Sequence, residues 1–345
     1  MDRSNITPVI DKIKAAIENH AALLEELIAQ GNKKIAGYIS PVIPPEIPAA
    51  FDIELLKIPE DVISGYKPAA GYEKIYSALI LPDQDISCFT WPLHSTPLFR
   101  CSLPEGYGED AAVSLHNSIS SMLGSLFGID IKSIDIKKLQ QKTGTFEAMR
   151  RTVRTITSLR SENSDILSAA EISMILEVAA IFPPDVALGY LAPLSEELKK
   201  ISGGERTPLL KALFSGGRSI PNDIAGFIED NGIAIIEDDT CAGRRLFDVS
   251  LNAGSEFLFY ELLDAYTYRP GTPCTRRAGE RYELLYKLLR NYGIGLVILF
   301  DDRACGCLPE HIEFLRIRLM RDGVDPLVIN RENYTDVVSR YLSLI

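Results

Sequence analysis

The order of apolar segments along the chain predicts an α/β protein built on parallel sheets. In the last third, strand-like apolar runs alternate with helical segments, and such alternation requires right-handed crossovers between parallel strands. The first part of the chain is a partial echo of this pattern, whereas the middle has only helical periodicity. We therefore expect an N-terminal α/β lobe with a leading helix at 1–110, a helical connector at 111–205 and a C-terminal α/β lobe at 206–345.

The N-terminal lobe opens with apolar residues at helical spacing, which predict one helix over 8–30 that ends at Gly31. His20 is expected on the surface of that helix. Apolar runs bounded by Pro, Gly and Ser then predict three strands, followed by an irregular loop. The strands are predicted at 34–39, 54–58 and 75–81, and the loop at 82–108.

The connector and the C-terminal lobe contain the clearest periodic segments. In the connector, helices are predicted at 111–127, 136–159 and 168–182, with Gly203-Gly204 as the boundary. In the C-terminal lobe, the predicted strands are 209–214, 232–236, 294–300 and 325–329, and the predicted helices are 221–231, 285–291, 308–321 and 334–344.

Composition and charge exclude several classes of function. Apolar residues make up 46% of the 345 residues, enough for a sizeable core. A formal net charge of −11 argues against nucleic acid as a partner, because phosphate binding needs a basic surface. The N-terminus has no signal-peptide layout, and the apolar runs are too short to cross a membrane. We expect a cytoplasmic protein, whose six cysteines are reduced or metal-bound.

Several cysteines follow predicted strands, where open α/β sheets bind their ligands. Cys88 and Cys241 each come after an apolar run, and Cys305 and Cys307 stand between a strand and a helix. The free N–H groups of a helix N-terminus stabilise a thiolate, the form that binds iron or zinc. Thiols brought together from distant segments suit an iron–sulfur cluster better than a structural zinc ion. Cys101 has no such context and is expected to be a buried apolar residue.

Other polar segments have two interpretations each. The turn Ser215–Ile220 could present N–H groups to an anion or be a simple tight turn. The acidic runs Glu237–Asp239 and Asp301–Asp302 could act as bases, but such residues more often cap helices and hold loops. Cys274 lies among arginines that either bind an anion or form a solvated surface. Among the histidines, His94 has the strongest functional context because it follows Cys88 in the irregular loop.

Six segments, in chain order, resemble the 2-hydroxyacyl-CoA dehydratase and benzoyl-CoA reductase subunit family. The segment Gly37–Ala50 is similar to the family's opening motif, roughly G-x-x-C-x-x-x-P-x-E-h-x-x-A. The resemblance continues through Ser87-Cys88, Phe127–Ile131 with Met149–Arg151, Ile236–Arg245 and Cys307–Glu310.

The resemblance implies a fold and an activity. The fold is two Rossmann-like lobes with a [4Fe–4S] cluster in the cleft between them, usually held by three cysteines. The activity is one-electron chemistry on an acyl-CoA thioester, through a ketyl radical, which drives dehydration or reduction in an oxygen-sensitive enzyme. The implied partners are a homologous subunit, in a heterodimer, and an ATP-hydrolysing iron–sulfur activator protein.

The chain departs from the family pattern where the first cluster cysteine is expected, because Ser40 occupies that position. The implied ligands are Cys88, Cys241 and either Cys305 or Cys307, completed by a serine or an external ligand. Ser40, His94 and Glu46 are the catalytic candidates. Ser40 equally favours a cluster-free homologue that binds a ligand or stabilises a partner subunit. Dispersed cysteines would instead indicate a bilobal small-molecule binding protein with unrelated chemistry.

Overall fold

The computed structural model contains two four-stranded sheets, and every strand pair in both is parallel. This confirms the predicted α/β class with two lobes. The structure describes residues 3–31, 34–39, 43–63, 69–82, 96–102, 108–201, 210–217, 219–268, 278–302, 309–324 and 326–344.

The first sheet has the strand order β2-β1-β3-β4. Its strands are β1 (Lys34–Tyr38), β2 (Ile53–Lys57), β3 (Tyr76–Pro82) and β4 (Leu98–Cys101). The strand β4 lies in the stretch predicted to be an irregular loop, so that prediction was wrong at this point. The reason is that β4 has four residues and only Cys101 is buried, which leaves no apolar run to detect.

The second sheet has the order β6-β5-β7-β8, which repeats the order of the first. Its strands are β5 (Leu210–Ser215), β6 (Ile233–Asp239), β7 (Leu296–Phe300) and β8 (Leu327–Ile329). The partial echo seen in the sequence is therefore confirmed as a shared topology. In both sheets the first strand in sequence lies between the second and the third, which creates a topological switch point beside it.

The described residues form thirteen α-helices, of which α3 and α4 are single turns. They are α1 (Thr7–Glu18), α2 (His20–Gly31), α3 (Glu46–Ala49), α4 (Glu60–Ile63), α5 (Glu109–Met122), α6 (Ile136–Glu162), α7 (Ala169–Ile181), α8 (Pro184–Lys199), α9 (Asn222–Asp230), α10 (Leu258–Thr267), α11 (Ala278–Tyr292), α12 (Pro309–Arg321) and α13 (Tyr334–Leu342). The predicted helix over 8–30 is two helices, because the chain breaks at Asn19, whose side-chain amide donates to the Ala15 carbonyl at 2.8 Å.

Helices cover both faces of both sheets, which gives each lobe two apolar cores. The helix α6 has 27 residues and is about 40 Å long. It contacts both lobes: Arg150 pairs with Glu46 of the first, and Arg160 pairs with Glu229 on α9 of the second at 2.6 Å. In the part of the chain that the structure describes, no helix is long and apolar enough to span a membrane.

The chain returns to the first lobe after β6. Leu258 and Leu262 of α10 share an apolar core with Leu115 and Ile119 of α5 and with residues of the first sheet. The predicted domain boundaries near 110 and 205 stay predictions, and α10 is a segment from beyond the second boundary that packs on the first lobe.

Candidate active-site cleft

A cavity of about 460 Å³ lies where the carboxyl ends of strands from both lobes face each other. The first lobe contributes residues of α1, residues of α4 and the last residue of β2. The second lobe contributes the segments that follow β5, β6, β7 and β8. Residues of α7 line the cavity between the two lobes. The lining residues are Ile17, Lys57, Asp61, Ser173, Met174, Leu176, Glu177, Ser219, Ile220, Pro221, Asn222, Asp223, Asp238, Thr240, Ala242, Gly243, Asp302 and Arg331. Ligands of open α/β sheets bind at this end of the strands.

The strand register brings the ends of the central strands together within each lobe. In the first sheet Tyr38 of β1 pairs with Ile80 of β3, so the segments that contain Ser40 and Cys88 begin at neighbouring strand ends. In the second sheet Ser215 of β5 pairs with Leu299 of β7. The turn after β5 therefore begins beside the segment that leads to Cys305 and Cys307.

The turn after β5 is tight and depends on glycine. Gly216 has φ of +111°, and a Cβ atom there would lie 2.5 Å from the Phe300 carbonyl oxygen. Gly217 has φ of +74°, and a Cβ atom there would lie 3.4 Å from an Asp302 carboxylate oxygen. The backbone of this turn lies so close to β7 that only glycine fits at the two positions. An anion is therefore not needed to explain the glycines, which favours the tight-turn interpretation.

The segment after β6 carries Cys241 and contacts the same turn. The Cys241 N–H donates to the Gly217 carbonyl at 3.1 Å. Cys241 is buried, and its neighbours Thr240 and Ala242 both line the cleft, although Cys241 itself does not. The ends of β5, β6 and β7 thus come together around this cysteine.

Ion pairs hold both ends of the Cys241 segment. On its N-terminal side, Asp239 accepts hydrogen bonds from Arg281 on α11 at 2.8 and 3.0 Å and lies 2.9 Å from an Arg245 nitrogen. Glu237 pairs with Arg244, which also donates to the Tyr292 hydroxyl at 2.6 Å. Since Arg244 and Arg245 come three and four residues after Cys241, these pairs close the segment into a fixed loop.

The acidic run Glu237–Asp239 holds this loop, as predicted, but mostly through ion pairs instead of helix capping. Burial raises the pKa of Glu237 to about 7. Burial also raises the pKa of Asp238, which accepts hydrogen bonds from the Thr240 N–H and hydroxyl at 3.2 and 2.9 Å.

Most of the predicted ligands lie outside the described residues. Ser40, Cys88, His94, Cys274, Cys305 and Cys307 fall in this group. Within the described ranges, no group of three or more His, Cys, Asp or Glu side chains is arranged to hold a metal ion. Cys101 is fully buried in the core of the first lobe, as expected for an apolar role.

Glu46, the third catalytic candidate, lies on the short helix α3 in a buried ion-pair network. It pairs with Arg150, which also donates to Glu147 at 3.1 Å and to the Tyr266 hydroxyl at 3.2 Å. Glu46 is fully buried and is not among the residues that line the cleft. This position gives Glu46 a structural role, whereas its catalytic role stays a prediction.

Sequence reasoning missed the cationic residues of the cleft. Lys57 is the last residue of β2 and is only 2% exposed, and Arg331 follows β8. A lysine that ends an apolar strand is a usable signal, because a buried ammonium group needs a partner or a ligand. Asp61 and Glu177 were also missed, because they reach the cleft from helices far from the cysteine segments.

Comparison with known families agrees with this architecture. A family model described as 2-hydroxyglutaryl-CoA dehydratase, D-component, matches residues 85–338, which is well over half of the chain. A search among curated proteins finds no significant match. The family is one of iron–sulfur dehydratase components, and it implies a partner subunit and an acyl-CoA substrate. The chain therefore belongs to the 2-hydroxyglutaryl-CoA dehydratase D-component family and is a component of a 2-hydroxyacyl-CoA dehydratase.

Proposed function

We propose that the chain is the subunit of an oxygen-sensitive iron–sulfur enzyme that removes water from a 2-hydroxyacyl-CoA thioester. It works in the cytoplasm as a heterodimer with a homologous subunit and receives one electron from an ATP-hydrolysing activator protein. The observation that carries the proposal is the cleft at the strand ends, beside the buried Cys241 loop, in a chain of this family.

The residues that would hold a [4Fe–4S] cluster are Cys88, Cys241 and Cys307, with Cys305 as the alternative to Cys307. Cys241 fits this role, because it is a buried thiol in a fixed loop that contacts the turn beside Asp302. The segments that carry the other thiols follow β3 and β7, which are central strands of the two sheets. A bound cluster supplies a low-potential electron.

The chain's own residues contribute binding and charge. Reduction of the thioester places negative charge on its carbonyl oxygen, and N–H donors aimed at that oxygen stabilise it. Lys57 and Arg331 are the cationic donors among the described lining residues, and we assign them this role.

A second candidate function follows from Ser40. A serine at the first ligand position favours a cluster-free homologue that binds a ligand or stabilises a catalytic partner subunit. In that case the loop around Cys241 is a structural element.

The test is the iron and acid-labile sulfide content per chain after anaerobic purification, read together with the visible spectrum. We expect about four irons per chain, as in a [4Fe–4S] cluster. Cys241→Ala and Cys88→Ala should lose most of this iron, whereas Cys101→Ala should keep it, because Cys101 lies in an apolar core. No iron after reconstitution would leave the cluster-free function.

Product analysis then distinguishes dehydration from reduction. The complete system, with partner subunit and reduced activator, is supplied with 2-hydroxyacyl-CoA thioesters and separately with an aromatic acyl-CoA. An enoyl-CoA product from the first set supports the proposed dehydratase. A reduced ring from the second, without dehydration of the first, would assign the benzoyl-CoA reductase type of reaction instead.

A further inference from the structure

The strand β6 contains a bulge just before its acidic end. Ala212 of β5 pairs with Ile235 of β6. The next residue of β5, Leu213, pairs with Glu237, so Ile236 is an extra residue in β6. A bulge of this kind shifts the side-chain alternation and re-aims the residues that follow it.

The residue that the bulge re-aims toward the cleft is Asp238. Without the extra residue, the alternating side chains of β6 would place Asp238 on the same face of the sheet as Ala234 and Ile236. That face packs in the core with α11 and α12. With it, Asp238 pairs with Phe214, whose side chain lies in the core on the α9 side of the sheet. This is the side from which Ser219, Ile220 and Pro221 line the cleft, and Asp238 lines it with them.

The Asp238 carboxylate is fixed through one oxygen. Its Oδ1 accepts both hydrogen bonds from Thr240, and no described residue donates a hydrogen bond to Oδ2. A Cβ atom on Gly243 would lie 1.7 Å from Oδ1, so the glycine backbone closes over this side of the carboxylate. One oxygen is therefore anchored, which leaves the other for a ligand in the cleft.

Asp238 also differs from its neighbours in charge pairing. Glu237 and Asp239 are each in ion pairs with arginines, whereas Asp238 forms none with a described residue. The charged groups that share the cleft with it are Lys57, Asp61, Glu177, Asp223, Asp302 and Arg331. Burial raises the pKa of Asp238 and outweighs the hydrogen bonds from Thr240, which lower it. Of the nearby charges outside the cleft lining, Asp239 raises this pKa and Arg245 lowers it, so the carboxyl group holds a proton more readily than that of an exposed aspartate.

We infer that Asp238 is a catalytic residue of the dehydration, which gives a proton to the departing hydroxyl group and takes one from carbon 3. The inference rests on the proposed function. The bond from carbon 2 to the hydroxyl oxygen breaks, and the oxygen leaves with the bonding pair and the Asp238 proton as water. The carboxylate then accepts the proton of carbon 3, and the electron pair of that C–H bond stays on the acyl group.

The step balances without another reactant. The single electron from the activator protein is returned when the product forms, so the sum is 2-hydroxyacyl-CoA to 2-enoyl-CoA and water. The carboxyl group recovers its proton in each turnover. A side chain that acts first as an acid and then as a base works best when its pKa is close to the working pH. The raised pKa of Asp238 brings it closer to neutral pH.

The experiment uses Asp238→Asn in the complete complex, because asparagine keeps the shape and the Oδ1 acceptor for Thr240. We expect unchanged iron, unchanged affinity for the thioester and a turnover lower by about 10²–10⁴-fold. Exchange of the carbon 3 hydrogen with deuterated water should be lost to the same extent. Asp230→Asn, at the exposed end of α9, is the matched control and should behave as the unmodified protein.

A second variant tests the proton directly. Thr240→Val removes the hydroxyl that donates to Oδ1 and so favours the protonated carboxyl group. Turnover should persist, and the limb of its pH profile that reports Asp238 should move to higher pH. An unmoved profile, or iron loss in Asp238→Asn, would assign the residue to the structure of the Cys241 loop and overturn the inference.

Failure of the inference is distinguishable from failure of the proposed function. If the unmodified complex dehydrates the thioester and Asp238→Asn does so equally fast, only the inference fails. If the unmodified complex has neither iron nor dehydratase activity, the proposed function fails and the inference falls with it.

Discussion

Glu46 and Arg150 are 104 positions apart in the chain and form an ion pair that is buried on both sides. Each residue lies in one of the segments that carry the family resemblance, Gly37–Ala50 and Met149–Arg151. The pair joins α3, which lies between β1 and β2 in the chain, to the long helix α6. These two parts of the resemblance therefore form one structural unit.

Replacement of Arg150 should be strongly destabilising. Arg150→Met leaves the Glu46 and Glu147 carboxylates buried without their main partner, and loss of one member of a buried pair costs about 3–5 kcal/mol. Urea unfolding followed by circular dichroism measures the change. The double variant Glu46→Gln/Arg150→Met should recover part of the loss, because the stranded charge is removed.

The control for this prediction is Arg316→Met, which removes an exposed pair with Glu313 on α12. It should leave the unfolding midpoint unchanged, because exposed ion pairs contribute little. Equal effects of Arg150→Met and Arg316→Met would mean that the Glu46–Arg150 pair does not stabilise the fold.

Gly243→Ala should disrupt the Cys241 loop. The new Cβ atom would lie 1.7 Å from Asp238 Oδ1 and 3.0 Å from Thr240 Oγ1, so the loop must move. We expect destabilisation of about 1–3 kcal/mol, typical of overpacking, together with reduced iron retention. Gly226→Ala, on α9, is the matched control, since nothing lies within 4 Å of its Cβ position and alanine favours a helix. Similar stability of the two variants would contradict the close approach of Gly243 to Asp238.

The strands of both sheets were largely predictable, since apolar runs bounded by glycine and proline mark buried parallel strands. The short strand β4 was not, because it is mostly exposed. His20 was expected on the surface but is buried, where its ring contacts the Tyr72 hydroxyl at 3.2 Å and the Ile181 carbonyl at 2.9 Å. The break at Asn19 starts a new helix there, so the periodicity of the first helix no longer fixes which side is exposed.

The site was predictable only in part. The rule that ligands bind at the carboxyl ends of strands identified the segments of Cys241, Asp238 and Asp302. It could not identify Glu177, because Glu177 lies on α7 and its presence in the cleft depends on how the two lobes pack. Lys57 does end a strand, β2, and was overlooked. The bulge in β6 was equally hidden, since an extra residue in a strand is defined only by the register of its neighbour.

Glu237 should make stability depend on pH. Its pKa is about 7 in the folded protein, against a usual value of 4.5, so between these values the folded state binds more protons than the unfolded state. The free energy of unfolding therefore decreases as pH rises from about 4.5 to 7, by about 3 kcal/mol for this group, and is constant with respect to it above that range. Glu237→Gln cannot release this proton, so its unfolding free energy should decline less over the same interval. Urea titrations at several pH values measure the difference, with the exposed Glu196→Gln as control. A slope in Glu237→Gln equal to that of the unmodified protein would show that Glu237 is ionised throughout this range in the fold, and that Arg244 outweighs its burial.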